Sequence, residues 1–355
     1  MARLSILERR ARRRRRQHVG PRSRKARNCL PTISDVSPDK AVEGARVVVH
    51  GSGFSTDAPP VVRLGGHPAL ISFLSPTRMV VLVPPAVEGE NLPLEIENDG
   101  ATRVEVGVPW ATGLHQVDNP AFDPQGRLYV TYSGPRGQEA PVSVFRVGTP
   151  GAREPFVSGI VNATSLAFGP DGDLYVSSRF DGAVYRVSAD GTHTQVASEL
   201  GVACGLAFDD DGWMYVGDRS GTIFRVRDGS AKPFATVPPS VAAFHLAMSP
   251  QGELFVSAPT LGTYDHIYRI GRDGDIRTLS HTMGRPQGMA FSPDGLLHVT
   301  DALAGAGGLY RFRSLDEEPE LVVSGNALVG VAFGPSGELA VATNDTAYRF
   351  GSRRA

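Results

Sequence analysis

Seven polar residues stand at positions of the sequence where chemistry could be done around one opening: Asp118, Asp218, Asp301, His245, Gln287, Arg179 and Arg285. Carboxylates that share one opening repel each other unless a cation or a basic ligand neutralises them. A cation at this opening would balance the carboxylates, and a basic ligand would do the same. Without a metal, the site would instead bind a polar ligand through His245, Gln287, Arg285, Asp218 and Arg179.

Each of these residues also has a structural interpretation. Asp218 and Asp301 stand where a carboxylate can accept backbone N–H groups of the following loop, and this interpretation is preferred for both. For His245 a hydrogen-bonded core histidine is preferred. For Asp118, turn capping and ligand binding are evenly balanced. Cys204 is expected to be a small buried residue with no base beside it.

The elements that must position these residues are six copies of one repeat. Each copy reads as an apolar strand, a tight polar turn and a second apolar strand, as in SLAFGPDGDLYVSS from Ser165 to Ser178. The residue that ends the first strand recurs at intervals of 46, 40, 40, 43 and 42 residues: Phe122, Phe168, Phe208, Met248, Phe291 and Phe333. Such a period with strand content is typical of propeller blades. We therefore predict an all-β chain in which residues 108–355 form a six-bladed β-propeller.

The hairpin of each copy places the end of its second strand beside the start of its first. One rim of the central channel should therefore collect the first-strand starts, which are Asp118, Thr164, Cys204, Phe244, Gln287 and Val329. The same rim should collect the second-strand ends, which are Tyr132, Ser178, Asp218, Ala258, Asp301 and Thr343. Functional residues are expected among these two sets, where the copies differ from one another.

Charged residues that recur from copy to copy are interpreted as structural rather than functional. Asp171, Asp211 and Asp294 precede glycine in the hairpin turns, where Asp-Gly supplies the backbone conformation of a tight turn. An arginine directly follows an aromatic residue on the third strand of five copies: Arg186, Arg225, Arg269, Arg311 and Arg349. We expect these arginines to be structural, either pairing with a neighbouring blade or solvated.

Residues 29–107 lack the repeat and show alternating apolar segments separated by turn residues, which predicts a small sandwich. The marks PTISDVSPDKAVEGARVVVHGSGFS, VRLGGHPA and VVLVPP resemble an IPT/TIG immunoglobulin-like domain. The resemblance implies a spacer or a binding surface. After it, VPWATGLHQV near Trp110 is similar to an outer blade strand, so it is predicted to complete the last blade and close the ring.

The N-terminus carries most of the positive charge. Residues 1–27 hold eleven Arg and one Lys against Glu8, which leaves 24 basic and 36 acidic residues, a net charge of −12, in the rest of the chain. We predict that residues 1–28 form a disordered arm. A solvated tail is preferred over nucleic-acid binding, and nucleic acid is expected as a partner only through this arm. No apolar segment follows the arm, so secretion is not indicated and a cytoplasmic location is expected, unless the true start lies elsewhere.

Residues 114–350 resemble six-bladed propellers of the NHL and gluconolactonase (senescence marker protein, strictosidine-synthase-like) group. RPQGMAFSPDGLLHVTDA and MYVGDRSGTIFRV carry this resemblance. It implies a divalent metal at the channel mouth, with Asp118 in place of the Glu that the family uses and Gln287 in place of an Asn. The remaining first-strand starts offer Thr164, Cys204, Phe244 and Val329, so the Asp ligand and base of the family are missing.

We therefore predict a non-enzymatic binding protein whose propeller mouth engages a small polar molecule, a glycan or a partner protein. The alternative that the resemblance implies is a metal-dependent lactonase or ester hydrolase of the gluconolactonase type. In it a divalent cation (Ca²⁺, Zn²⁺ or Mn²⁺) held by Asp118, Gln287 and Asp218 would polarise a carbonyl group and activate water, with Asp118 or Asp301 as the catalytic base. A purely structural module is a third interpretation.

Overall fold

The computed structural model describes residues 32–97, 100–149 and 151–351, and every regular element in this part of the chain is a β-strand. Across these three ranges we find no helix that is both long and apolar enough to cross a bilayer. The arm predicted at residues 1–28 lies outside the described residues.

The N-terminal unit is a sandwich of eight strands. They are β1 (Thr32–Ser37), β2 (Lys40–Ala41), β3 (Arg46–Ser52), β4 (Val62–Leu64), β5 (His67–Ser75), β6 (Arg78–Leu82), β7 (Gly89–Ile96) and β8 (Gly100–Val106). β1, β3, β6 and β5 pair in that order, and β5 continues through β4, β7 and β8 to β2. Val47 and Val49 alternate with more exposed residues on β3 and pack with Leu94 of β7 in the core. The apolar alternation read from the sequence is therefore the buried face of this sandwich.

The repeat copies fold into hydrogen-bonded sets of four strands. Strand β9 (Val108–Ala111) leads into them. The first two sets are β10 (Ala121–Phe122), β11 (Leu128–Thr131), β12 (Val144–Thr149), β13 (Ala152–Val157), and β14 (Ala163–Phe168), β15 (Leu174–Ser178), β16 (Ala183–Val187), β17 (His193–Ala197). The third and fourth are β18 (Ala203–Phe208), β19 (Met214–Asp218), β20 (Thr222–Arg227), β21 (Ser230–Thr236), and β22 (His245–Met248), β23 (Leu254–Ser257), β24 (Ile267–Ile270), β25 (Ile276–Thr278).

The last two copies continue the pattern. Their strands are β26 (Pro286–Phe291), β27 (Leu297–Asp301), β28 (Gly308–Phe312), β29 (Glu320–Ser324), and β30 (Leu328–Phe333), β31 (Leu339–Thr343), β32 (Ala347–Phe350). Strand β9 pairs antiparallel with β32, with Ala111 opposite Ala347 and Val108 opposite Arg349. The final sheet thus takes its outer strand from the beginning of the repeat region, which leaves no unpaired edge at β32.

The structure corrects the predicted count of six blades to five separate four-stranded blade sheets. The strands of the fifth copy, β26–β29, do not form a separate sheet. They belong to a twelve-stranded sheet because the two-residue strand β2 pairs in parallel with β29, with Ala41 opposite Ser324. The sequence contains no signal for so short a strand. The first strands of all six copies still pack side by side, in the closed order β10, β14, β18, β22, β26, β30 and back to β10.

Aromatic contacts join successive copies around this ring. The second strand of one copy presents a ring edge-on to the residue that ends the first strand of the next copy. Examples are Tyr129 with Phe168 at 5.4 Å between ring centroids, and Tyr175 with Phe208 at 4.8 Å. His298 takes the same position and meets Phe333 at 4.8 Å. Edge-to-face pairs of this kind contribute about 0.5–1.5 kcal/mol each beyond the area they bury.

The recurring arginines of the third strands pair with acids of their own copy, which agrees with a structural role but corrects the expectation that they pair with a neighbouring blade. Arg186 binds Asp173 at 2.6 Å, and Arg269 binds Glu253 at 2.7 Å. The acids lie in or beside the hairpin turn between the first two strands. Gly172 in such a turn has a φ of +83°, a conformation that disfavours side chains, and this explains the repeated Asp-Gly.

The sandwich and the propeller share one hydrophobic core. Val104 and Val106 of β8 belong to the same buried cluster as Tyr348 and Phe350 of β32. Gly107 allows this approach, since a Cβ atom there would lie 2.7 Å from the Phe350 ring. Hydrogen bonds cross the same boundary, including one of 2.9 Å from the Val42 N–H to the Ser324 carbonyl. The two units are therefore packed as one body rather than connected by a loose linker.

Candidate functional site

A pocket of about 280 Å³ opens at the rim that the hairpin argument singled out. One side of it is formed by starts of first strands: Thr164, Cys204, Gln287 and Val329. The other side is formed by the residues that directly follow second strands: Arg179, Arg219 and Asn344. Gln116, Val117 and residues 241–243 complete the wall. The lining is thus drawn from several copies of the repeat, as expected for a channel mouth.

Of the seven predicted site residues, Gln287 and Arg179 line this pocket. Gln287 is buried at the start of β26, and its side-chain amide makes no hydrogen bond to another described residue. Arg179 is half-buried and follows β15. Arg285 does not line the pocket; its side chain is exposed, and its backbone N–H donates to Asp301 at 2.9 Å. The pocket therefore gathers one amide and one guanidinium from the predicted set.

Asp218 and Asp301 hold loops, which confirms the structural interpretation preferred for them. Asp218 accepts the Val202 N–H at 2.8 Å and the Ser220 hydroxyl. Asp301 accepts three backbone N–H groups, those of Gly284 at 2.8 Å, Arg285 at 2.9 Å and Leu303 at 2.8 Å. These oxygens are satisfied by the protein itself, so neither carboxylate is free to face a ligand in this conformation.

Asp118 and His245 form a buried pair. The Nδ1–H of His245 donates to Asp118 Oδ1 at 2.5 Å, and the same oxygen accepts the Asn119 N–H at 2.7 Å. Asp118 is 1% exposed and His245 is fully buried. The Nε2 atom of His245 has no hydrogen-bond partner in the described part of the chain. His245 is therefore fixed by Asp118 at one ring nitrogen and left polar and unpaired at the other.

Cys204 forms part of the pocket wall but is nearly inaccessible, at 1% exposure. Burial raises the pKa of its thiol to about 12; the backbone N–H of Phe244 lowers it slightly, and the charge of Asp118 raises it. The thiol is therefore neutral at physiological pH, as expected for a structural cysteine.

The charge at the mouth is positive. Arg179 and Arg219 form no salt bridge to a described residue; Arg219 donates only a long bond of 3.4 Å to the Val241 carbonyl. Burial lowers the pKa of Arg179, and the positive charges of Arg219 and Arg136 lower it further, against an opposite effect of Cys204. His115 is affected in the same direction: burial lowers its pKa first and Arg179 second. These shifts indicate that positive groups at the mouth are close enough to repel each other.

The metal set predicted from the sequence is not assembled by the described residues. Among them, no group of three or more His, Cys, Asp and Glu side chains is arranged to hold an ion. Asp118 is engaged with His245 and Asn119, Asp218 is engaged with Val202 and Ser220, and Gln287 alone faces the pocket. A calcium-type site needs six to eight oxygen ligands, so these residues do not fit one.

Three polar lining residues escaped the sequence reasoning: Gln116, Arg219 and Asn344. Arg179 and Arg219 occupy the same repeat position, one residue beyond the second strands that end at Ser178 and Asp218. Asn344 occupies that position in the last copy. If the residue after each second strand is taken as the rim position, instead of the last residue of the strand, the repeat identifies both Arg219 and Asn344. Gln116 lies before the first copy and carried no such signal.

Comparison with known families agrees with the N-terminal fold. The profile described as the IPT/TIG domain matches residues 31–108. The N-terminal unit is a TIG domain. The profile described as strictosidine synthase-like, N-terminal, matches residues 205–226, which cover most of β18 to β20. No match was found among curated proteins.

Solved structures resemble the chain in fold at low sequence identity. An auxiliary nutrient binding protein from Bacteroides thetaiotaomicron VPI-5482 is 12% identical over 91% of this chain and 98% of its own, with a TM-score of 0.54. One from Bacteroides ovatus ATCC 8483 is 14% identical over the same shares, 91% and 98%, with a TM-score of 0.52. A gluconolactonase-like protein is 16% identical over 68% of this chain and 90% of its own, with a TM-score of 0.55. These likenesses show a β-propeller fold, and the first two extend over the TIG domain as well.

Proposed function

We propose that this chain is a non-enzymatic binding protein that holds a small polar ligand in the pocket at the propeller mouth. The observation that carries the proposal is a pocket of about 280 Å³ whose wall presents Gln287, Arg179 and Arg219 without full sets of protein partners. Buried polar groups usually have hydrogen-bond partners within the protein, so groups that lack them at a pocket wall are available to a ligand. Concave sites with a few convergent polar groups are the usual place for small ligands.

The size of the pocket limits the ligand. A volume near 280 Å³ lies at the lower end of typical small-molecule sites. It accommodates one small molecule or the terminal group of a larger one, such as the end of a glycan. The lining offers donors from Arg179 and Arg219, and both a donor and an acceptor from the side-chain amide of Gln287.

Binding is preferred over metal-assisted hydrolysis because of the donor groups present. The lactonase alternative needs an oxygen-rich metal site, and the carboxylates of Asp118, Asp218 and Asp301 are already engaged by protein donors. The names of two structural neighbours, which describe auxiliary nutrient binding proteins, support a binding role, although their identity to this chain is only 12% and 14%.

We also propose that β26–β29 serve as a sixth wall of the channel although they share a sheet with the TIG domain. Support comes from the packing of β26 between β22 and β30 and from the His298–Phe333 contact, which repeats the aromatic contacts of the earlier copies. On this proposal the ring has the six-fold arrangement of the NHL and gluconolactonase-like propellers. The TIG domain then braces one wall.

A ligand screen with a blocked pocket tests the proposed function. Sugars, sugar acids, amino acids, organic acids and nucleotides are screened for stabilisation of the purified protein against heat. Each compound that raises Tm is then titrated by calorimetry into Ala243→Trp, which places a large ring at the pocket wall, and into Ala189→Trp, which alters an exposed turn. Binding should be lost in Ala243→Trp and kept in Ala189→Trp.

Two results would contradict the proposal. One is a set of ligands that binds Ala243→Trp as tightly as the wild type. The other is turnover of lactones in the presence of Ca²⁺, Mn²⁺ or Zn²⁺ that disappears in Asp118→Ala while the variant remains folded, because that result would establish the hydrolase alternative.

A further inference from the structure

We infer that the ligand of the mouth pocket carries an anionic group, a carboxylate or a phosphate, that Arg179 and Arg219 bind together. This inference rests on the proposed function and adds the chemical class of the ligand. Two sets of arginines in the same repeats differ in whether they have an acidic partner.

The arginines of the third strands show what a paired arginine looks like in this fold. Arg186 lies 2.6 Å from Asp173, Arg269 lies 2.7 Å from Glu253 and Arg311 lies 2.8 Å from Glu320. Each acid is supplied by the same copy as its arginine. The third strands of these copies therefore pair their arginine with an acid of the same copy.

Arg179 and Arg219 stand outside that arrangement. They occupy one repeat position in successive copies, both are half-buried, and neither reaches an acidic side chain in the described part of the chain. The Nε atoms of both are buried without a hydrogen-bond partner there, as is the Nε atom of the acid-paired Arg311, so the absence of an acidic partner is what distinguishes Arg179 and Arg219. Half-buried guanidinium groups without counter-charges are unfavourable, and the free energy improves when an anion enters between them.

The acids nearest to these arginines do not supply the missing charge. Asp218 precedes Arg219 but is held by the Val202 N–H and the Ser220 hydroxyl. Asp118 is held by His245 and Asn119. Cys204 would offset the charge of Arg179 only as a thiolate, and its pKa of about 12 keeps it neutral near pH 7. The positive charge at the mouth is thus uncompensated.

The positive charge of Arg179 and Arg219 contrasts with the negative charge of the rest of the protein. Outside residues 1–27 the chain has a net charge of −12, so an anion gains no general attraction from the protein as a whole. Attraction must come from the mouth itself, where Arg136 adds a third positive charge near Arg179. Planar guanidinium groups bind carboxylate and phosphate oxygens in pairs, which suits a small pocket that holds one such group.

Calorimetric titration with matched probes tests the inference. The full-length protein is titrated with inorganic phosphate, with succinate and with succinamide, the neutral analogue of succinate. We expect succinate or phosphate to bind and succinamide not to bind. Whichever of the two anions binds more tightly identifies the class, and its affinity should fall as salt concentration rises.

Variants locate the binding site. Arg179→Gln and Arg219→Gln should each weaken anion binding at least tenfold, and Arg219→Lys should weaken it less because it keeps the charge. Arg285→Gln is the matched control, since Arg285 is exposed near the same rim but does not line the pocket. It should bind as the wild type does. Melting curves establish that each variant is folded.

The outcomes separate this inference from the proposed function. If neutral compounds bind and are lost in Ala243→Trp, while no anion binds or the arginine variants bind anions unchanged, the anion inference is wrong and the mouth remains a ligand site. If anions bind equally to wild type, Ala243→Trp and both arginine variants, the inference and the mouth site are both wrong.

Discussion

Asp118 and His245 are 127 residues apart in the sequence and meet at 2.5 Å between Oδ1 and Nδ1. Asp118 leads into the first repeat copy, and His245 begins the first strand of the fourth copy, so the bond connects copies that are not neighbours in the ring. It lies in the innermost layer of the propeller, and Asp118 is close enough to Cys204 of the pocket wall to affect its thiol. The pair therefore links opposite parts of the ring just where the mouth pocket is formed.

Asp118→Ala should destabilise the protein strongly, because it leaves His245 buried with both ring nitrogens unpaired. Removing one member of a buried charged or hydrogen-bonded pair costs about 3–5 kcal/mol. Denaturant unfolding of Asp118→Ala, His245→Ala and the double variant measures the cost, and the double variant should lose less than the sum of the single losses. Asp190→Ala, at an exposed turn, is the control. Strictly additive losses would show that the two side chains do not support each other.

Gly107→Ala should destabilise the joint between the TIG domain and the propeller. The new Cβ atom would lie 2.7 Å and 2.9 Å from two atoms of the buried Phe350 ring. Overpacking of this kind typically costs about 1–3 kcal/mol. Gly148→Ala is the matched control, because a Cβ atom there meets no other atom within 4 Å. Calorimetry should show one transition at lower Tm for Gly107→Ala, whereas two separate transitions in the wild type would contradict a shared core.

Cys204 should resist thiol reagents in the folded protein. Burial raises the pKa of its thiol to about 12, and the side chain is 1% exposed. In a Cys29→Ser background, labelling with 5,5′-dithiobis(2-nitrobenzoic acid) at pH 8 should be complete only after unfolding. Because the folded pKa is raised above the ordinary value of 9.0, stability should decline as pH rises from 9 towards 12. Rapid labelling of the native protein would contradict the burial described above.

His298 should make the stability of the protein fall in mild acid. Burial lowers its pKa, the Leu296 carbonyl opposes this, and the charge of Arg311 lowers the pKa further. The unfolded chain therefore binds a proton more readily than the folded protein below the ordinary pKa of 6.5, so stability is lost as pH falls below that value.

The variant His298→Phe tests this effect in isolation, because the fourth copy already has Phe255 at the same position, in contact with Phe291. The free energy of unfolding is compared between wild type and variant from pH 8 to pH 5. The difference should shift in favour of the variant as pH falls below 6.5. A difference that is independent of pH would contradict a titrating, buried His298.

The repeat made the propeller predictable from the sequence, because a period read at Phe122, Phe168 and Phe208 fixes which strand is innermost and which rim its start faces. Turn residues such as Asp171 could likewise be separated from functional ones, since an Asp-Gly turn recurs in three of the six copies. The TIG domain was predictable from its turn and strand pattern, and the TIG profile matches residues 31–108.

Contacts between copies could not be read in the same way. The Asp118–His245 bond depends on the closure of the ring, and nothing local at either residue indicates it. The pairing of β2 with β29 involves two residues and has no period, so the sequence predicted six separate blades where the structure has five separate sheets. Arg219 was missed for a simpler reason: the rim was taken at the ends of the second strands, one residue before it, and its lack of an acidic partner appears only in the folded chain.

The most direct test of the mouth as a ligand site is a crystal structure of the protein grown with its tightest-binding compound and with Ca²⁺. We expect the compound in the pocket, within hydrogen-bond distance of Gln287 and of Arg179 or Arg219. A calcium ion coordinated by Asp118 and at least two further side-chain oxygens, with the compound absent from the pocket, would contradict the account.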